Sequence, residues 1–177
     1  MTGCSRQTRG LIQVYTGPGK GKTTAALGQA MRAAGQGLKV VMVQFVKGDP
    51  NSGEHLLVRK YPFLEIVQPN RGDCFKQPRE ELKAAVDKAW ELAQKCLADG
   101  HYDMVILDEI FIAVSMGLLD VSDVVNLIEA KPDKTELILT GRNAPPDIVR
   151  IADLVTEMLM IKHPFTEGTA ARKGIEY

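Results

Sequence analysis

Cysteine is scarce in this chain and net charge is absent. Only three of 177 residues are cysteine (Cys4, Cys74 and Cys96), too few to pair completely, and they form no CxxC or Cys/His cluster. That excludes the usual zinc spacing and leaves free thiols in a reducing cytoplasm as the expectation. Lysine plus arginine balances aspartate plus glutamate at 22 each. This removes the broad basic face that nucleic-acid binding needs, while leaving room for a local basic pocket. Long hydrophobic runs are missing too. The first, Leu11–Tyr15, is too short for a signal h-region and far short of a membrane span. A cytoplasmic protein with neither nucleic acid nor membrane as partner is expected. His55, His101 and His163 lack metal spacing with one another; His101 reads as exposed. There is no repeat, low-complexity tract or interdomain linker. One domain of this size buries roughly 70% of its unfolded surface.

Six apolar stretches read as buried parallel strands: Leu11–Tyr15, Lys39–Phe45, Leu64–Val67, Met104–Leu107, Glu136–Leu139 and Val155–Ile161. Helical stretches alternate with them. Thr23–Ala34 is rich in alanine. Pro78 opens a helix with Leu82, Ala85, Val86, Ala89, Ala93, Cys96 and Leu97 on one face, where Trp90 reads as packing, and Asp99-Gly100 closes it. Ser122 is the expected N-cap of Asp123–Ala130, and Pro146 starts a short helix. This alternation predicts a doubly wound α/β sheet with its ligand at the carboxyl ends of the strands.

Thr16-Gly17-Pro18-Gly19-Lys20-Gly21-Lys22-Thr23-Thr24 follows the first strand directly. Glycines let backbone N–H groups turn toward an anion, and the helix that follows adds the positive end of its dipole. Lys22 is placed to reach phosphate oxygens and Thr23 to help hold Mg²⁺. The Walker A pattern is imperfect, because Thr16 stands where its first glycine belongs. A Rossmann reading fits worse, since Lys22 replaces the third glycine of GxGxxG. Met104-Val105-Ile106-Leu107-Asp108-Glu109 has the form of a Walker B strand, with two acids at its end for the metal. Gln44 to Gly48, Gly53-Glu54 and Thr140 to Asn143 follow two other strands. Arg142 is read as a phosphate contact or a surface arginine, and Glu54 as a ligand group or a solvated loop residue. Gln68–Arg79 reads as a lid or substrate loop. His163, just past a strand end, reads as structural more readily than as a ligand contact.

Together these residues make the chain resemble an ATP:corrinoid adenosyltransferase of the P-loop type, from Gly10 to Tyr177. The resemblance is carried by the loop Thr16–Ala26, by Val43-Gln44-Phe45-Val46-Lys47-Gly48 with Gly53-Glu54, and by Val105–Glu109. Leu139-Thr140-Gly141-Arg142, Lys162-His163-Pro164-Phe165 and the ending Lys173-Gly174-Ile175-Glu176-Tyr177 complete it. It implies a P-loop NTPase-like (RecA-like) three-layer α/β fold with a mainly parallel central sheet. Residues 1–9 would be a short arm and 10–177 the adenosyltransferase domain.

The implied reaction attaches the 5′-deoxyadenosyl group of ATP to the cobalt(I) of a corrinoid and releases triphosphate, in cobalamin biosynthesis or salvage. ATP lies reversed along its loop in that family. The resemblance assigns ATP to Gly17, Pro18, Gly19, Lys20, Gly21, Lys22, Thr23, Thr24, Gln44 and Arg142. It assigns Mg²⁺, or Mn²⁺, to Thr23, Glu109 and Asp108. Lys22 would stabilise the leaving triphosphate, and Phe75 would help strip the lower ligand from cobalt(II) before a flavoprotein reduces it. Asp73 stands where a second aromatic is usual, with Phe111 or Phe165 as replacements. Pro18 stands where asparagine is common. A homodimer is implied. Two other readings remain at this stage: a P-loop phosphotransferase or ATPase, and a non-catalytic ATP- or corrinoid-binding regulator.

Overall fold

All six apolar stretches form strands, and every pairing between them is parallel. The computed structural model describes residues 9–74 and 76–176. The strands are β1 (Ile12–Thr16), β2 (Val40–Gln44), β3 (Glu65–Val67), β4 (Met104–Asp108), β5 (Glu136–Thr140) and β6 (Leu154–Glu157), in the sheet order β3-β2-β4-β5-β1-β6. β5 separates β1 from β4, so the loop after β1 meets the end of β4 across one intervening strand.

The period of two sends alternate side chains to opposite faces. Val41, Val43, Val105, Leu107, Leu137 and Leu139 belong to one core cluster, while Val40, Met42, Met104, Ile106 and Ile138 belong to the other. The second cluster is covered by α1 (Lys22–Gly35) through Ala26, Ala30 and Ala33, whose small side chains let the helix lie close to the sheet. The first is covered by α3 (Arg79–Ala98) through Leu82, Val86, Ala89, Ala93 and Leu97, and by Val124 and Ile128 of α5 (Val121–Glu129). Ala85 and Cys96 of the expected α3 face are only half-buried, and Trp90 packs against the same cluster. These are the three expected layers.

Four local readings change. The last strand is shorter than Val155–Ile161 and exposed throughout, because it is a sheet edge that pairs only with β1. α5 is capped by Asp120, in extended backbone, two residues before Ser122. Gly53–Lys60 forms a helix, α2, so Glu54 lies in a first turn and not in a loop. Ile110–Ser115 forms α4, directly after the acids of β4, and α6 (Pro146–Ile151) begins at the expected proline. Among the described residues no helix is long and apolar enough to cross a membrane, and Cys74 and Cys96 are free thiols.

Candidate functional site

The loop after β1 turns on two glycines with positive φ, Gly17 at 96° and Gly21 at 118°, and Gly21 caps α1. A side chain at Gly17 would bring its Cβ within 2.5 Å of the Met158 carbonyl oxygen, and the Gly19 N–H donates to that oxygen at 2.6 Å. The segment after β6 therefore lies along the loop. Lys22, only 7% exposed, donates from Nζ to the carbonyls of Gly17 at 2.9 Å and Gly19 at 2.7 Å. Burial holds its pKa below the usual lysine value, with Glu109 opposing and Arg142 adding to the shift. Lys20 reaches the C-terminal segment, where it donates to the Ile175 carbonyl at 3.0 Å and pairs with Glu176 at 2.9 Å. Hydrogen bonds from Arg172 and Lys20 hold the Glu176 carboxyl down to about 2.

Asp108, at the end of β4, is completely buried and fully engaged. Its Oδ1 accepts from Thr23 Oγ1 at 2.9 Å and Thr140 Oγ1 at 2.7 Å. Its Oδ2 accepts from Lys47 Nζ at 2.8 Å and Gln44 Nε2 at 3.3 Å. Burial pushes its pKa up, but Lys47 and the hydroxyl donors outweigh that and hold the carboxyl below its ordinary range. Glu109 adopts φ 60°, and its N–H donates to Thr140 Oγ1. Burial and the adjacent Asp108 charge raise its carboxyl pKa. No hydrogen bond or ion pair to the Glu109 carboxylate occurs among the described residues.

Behind Asp108 the polar network continues. Gln44 Nε2 also donates to Glu54 Oε1 at 3.3 Å, while Gln44 Oε1 faces His55 Nε2 at 2.8 Å and accepts from Gln68 Nε2 at 3.1 Å. Gln44 is fully buried and is not among the lining residues of the site's two cavities, so its expected contact with ATP has no direct counterpart in their walls. Asp108 likewise lines neither cavity. Its two oxygens accept from four side chains, Thr23, Thr140, Lys47 and Gln44.

Two cavities meet here. One of about 430 Å³ runs over Pro18 to Thr24 and is walled by Lys47, Glu54, Glu109, Arg142, His163 and Glu176. The other, about 890 Å³, is lined by Val46, Gly48, Gln68, Arg71 to Cys74, Ile112 and Met116, and shares Lys47, Glu54, Glu109, Arg142 and Glu176 with the first. Of the expected ATP residues, Pro18, Gly19, Lys20, Gly21, Lys22, Thr23, Thr24 and Arg142 come together on the smaller cavity; Gly17 lies behind it as an acceptor for Lys22. Asp73 lines the larger one and pairs with Lys76 at 3.2 Å. Phe111 is fully buried in the core and lines neither cavity, so it does not replace a second aromatic there. Phe75 lies outside the described residues. Sequence reading missed Lys47 and Thr140 as participants, although both sit in the strand-end stretches it singled out.

A glycine-turned loop feeding a helix, with acids one strand away on a parallel sheet, defines a P-loop nucleotide-binding α/β protein. The chain has the fold of the assembled ATPase EscN from the enteropathogenic E. coli type III secretion system: TM-score 0.51, 17% identity, 90% of this chain and 45% of that one. It therefore spans under half of that ATPase, and the likeness concerns the fold alone. At the level of family, residues 8–177 match the profile of the ATP:corrinoid adenosyltransferases BtuR/CobO/CobP, and the chain belongs to that family. It is 44% identical to a corrinoid adenosyltransferase of Sinorhizobium sp, over 96% of this chain and 81% of that one. It is 39% identical to one from Pseudomonas aeruginosa, over 98% and 86%.

Proposed function

We infer that this protein is an enzyme that transfers the 5′-deoxyadenosyl group of ATP to the cobalt of a corrinoid. The observation that carries this is the shared wall of the two cavities. One is a phosphate cradle; the other has the size of a site for a large ligand and a partly apolar lining. Such an arrangement lets a second, large substrate lie against the nucleotide, and with ATP reversed along the loop, as the family resemblance implies, the atom presented to it would be C5′.

In this reading cobalt(I) donates its electron pair to C5′, the cobalt–carbon bond forms, and the C5′–O bond breaks with its electrons passing to triphosphate. The nucleophile carries no proton, so no general base is needed. Loop N–H groups, Lys20, Lys22 and Arg142 receive the triphosphate, an electrostatic role. Lys22 exchanges the Gly17 and Gly19 carbonyls for phosphate oxygens.

Mg²⁺, with Mn²⁺ as a substitute, fits the donor set, because Thr23 and Glu109 offer hard oxygen atoms beside the cavity and the Asp108 carboxylate adds negative charge behind them. The ammonium of Lys47 between Thr23 and Asp108 supports a site for positive charge there. When bound, such an ion stabilises the charge of the departing triphosphate. Thr23 and Glu109 would hold it, and Asp108 would orient Thr23. Phe75 is assigned to the removal of the lower cobalt ligand, and a flavoprotein to the reduction of cobalt(II). The exposed edge β6, with Leu154 and Val155 about 40% exposed, supports pairing of two copies.

The deciding experiment is anaerobic incubation with chemically reduced corrinoid and Mg-ATP. The cobalt–carbon product with one triphosphate per turnover is expected. ADP as the product would make the protein a phosphotransferase or ATPase, and binding of both ligands without turnover would make it a regulator.

A further inference from the structure

Lys47 occupies the place of a metal. Its ammonium lies 2.9 Å from Thr23 Oγ1 and 2.8 Å from Asp108 Oδ2, between the loop hydroxyl and the strand-end carboxylate. In P-loop NTPases that pair of groups holds the nucleotide's Mg²⁺. The Thr23 hydroxyl donates its hydrogen to Asp108 Oδ1, so the oxygen lone pairs that accept from Lys47 are also those a cation must use. Lys47 and a divalent ion cannot both sit on Thr23 Oγ1 without two like charges in close contact.

The surroundings let the ammonium leave. Asp108 has no exposure, whereas the Lys47 side chain is 30% exposed and lines both cavities. Its backbone is fixed on one side, since a Cβ on Gly48 would come within 2.0 Å of the Gly72 carbonyl oxygen. Movement is thereby confined to the flexible four-carbon stem. The destination is electrostatically defined: the smaller cavity is where the triphosphate belongs, and Lys47 is already part of its wall.

We propose that Lys47 is a built-in stand-in for the divalent cation. It holds Thr23 and Asp108 in their working arrangement before nucleotide arrives, and it yields that place when metal and triphosphate enter together. The displaced ammonium then faces the triphosphate. The proposal rests on the reading of this cavity as the triphosphate site. It makes Lys47 a positioning residue and fixes an order of events: the divalent ion enters with the nucleotide and not ahead of it. A purely structural partner of Asp108 would stabilise the fold without affecting metal affinity.

The test uses the full chain without nucleotide or corrinoid, titrated with Mn²⁺ and followed by loss of the free-ion EPR signal. Lys47→Met is expected to bind Mn²⁺ at least about 10-fold more tightly than wild type, because a like charge has left the site. Lys47→Arg, which keeps the charge, should stay near wild type. Added Mn²⁺ should raise the melting temperature of Lys47→Met and leave that of wild type unmoved. Lys47→Gln, whose amide can still donate to Asp108, takes the place of the methionine variant if that one does not fold. Equal Mn²⁺ affinity in wild type and a folded, uncharged variant overturns the proposal. Calorimetry of Mg-ATP with wild type separates the two levels: failure to bind overturns the triphosphate reading itself, while binding combined with unchanged Mn²⁺ affinity in the variant overturns the role of Lys47 alone.

Discussion

Thr140 joins the two acids of β4 although it belongs to β5: its hydroxyl donates to Asp108 Oδ1 at 2.7 Å and accepts from the Glu109 N–H at 2.9 Å. One buried oxygen thus orients the carboxylate beneath the phosphate loop and holds the backbone turn that aims Glu109. The Glu109 turn, at φ 60°, is left-handed backbone that a residue other than glycine adopts only when its surroundings require it. Thr140→Val keeps the shape and removes both bonds. Leaving the Glu109 N–H without an acceptor costs about 1–3 kcal/mol, or roughly 3–10 °C of melting temperature at this chain length. Adenosyl transfer should fall by about tenfold as the turn loosens, while Thr140→Ser should stay close to wild type. A valine variant with unchanged melting and transfer would remove Thr140 from the site.

Lys22 is more deeply built in than a residue at a loop edge. Its two bonds to Gly17 and Gly19 carbonyls brace the loop, and in the proposed reaction its transfer to phosphate would supply charge where the triphosphate departs. Lys22→Ala should lower adenosyl transfer by roughly 10²–10³-fold, the loss typical of one preorganised donor. Melting should fall by only a few degrees, since two modest hydrogen bonds are lost. Rates with prereduced corrinoid, compared with circular dichroism, check both parts.

The motif residues were legible because each motif is contiguous in sequence and its chemistry is local. Gly21-Lys22-Thr23 must open a helix, and Asp108-Glu109 must end an apolar strand. The network that unites them was not legible in this way. Thr140, Gln44 and Asp108 come from three strands whose adjacency depends on the sheet order, and Lys47 reads as an ordinary charged loop residue until the fold folds it inward. α2 escaped notice for a different reason. None of its residues is buried, so no apolar stripe marks it. Val155–Ile161 misled in the opposite sense, because its apolar residues are exposed on an edge and simulate a core strand.

His55 gives a pH dependence whose sign can be worked out. Burial, opposed by Glu54 and reinforced by Arg59 and Lys47, holds its folded pKa below the usual 6.5. The unfolded chain therefore takes up a proton more readily. Stability present above about pH 6.5 is lost as pH falls through the folded value. His55→Gln retains a donor for Gln44 Oε1 and has no titrating ring. The melting temperature of wild type should fall more steeply than that of the variant between pH 7 and 5. Parallel curves would show that His55 contributes nothing to acid sensitivity.

With the larger cavity proposed as the corrinoid site, cobalt activation becomes a question about its lining. Asp73 stands on its lining, where an apolar wall would better disfavour the lower cobalt ligand, and the Asp73 carboxylate already pairs with the Lys76 ammonium at 3.2 Å on a half-exposed side chain. A carboxylate held this way keeps its solvation, so Asp73→Ala should change turnover little. Phe111 is committed to the core against Gly141, and Phe75 is the aromatic to which the family resemblance assigns this step, so it is the one to test. Two assays separate its possible roles: one with cobalt(II) corrinoid and a reducing flavoprotein, the other with prereduced cobalt(I). Only the first requires removal of the lower ligand. Phe75→Ala should therefore lose about tenfold or more in the first assay and much less in the second, in line with a loss of stacking and desolvation at the cobalt face. Equal losses in both would mean that Phe75 packs against the corrin without promoting reduction, and the activation role would pass to another residue.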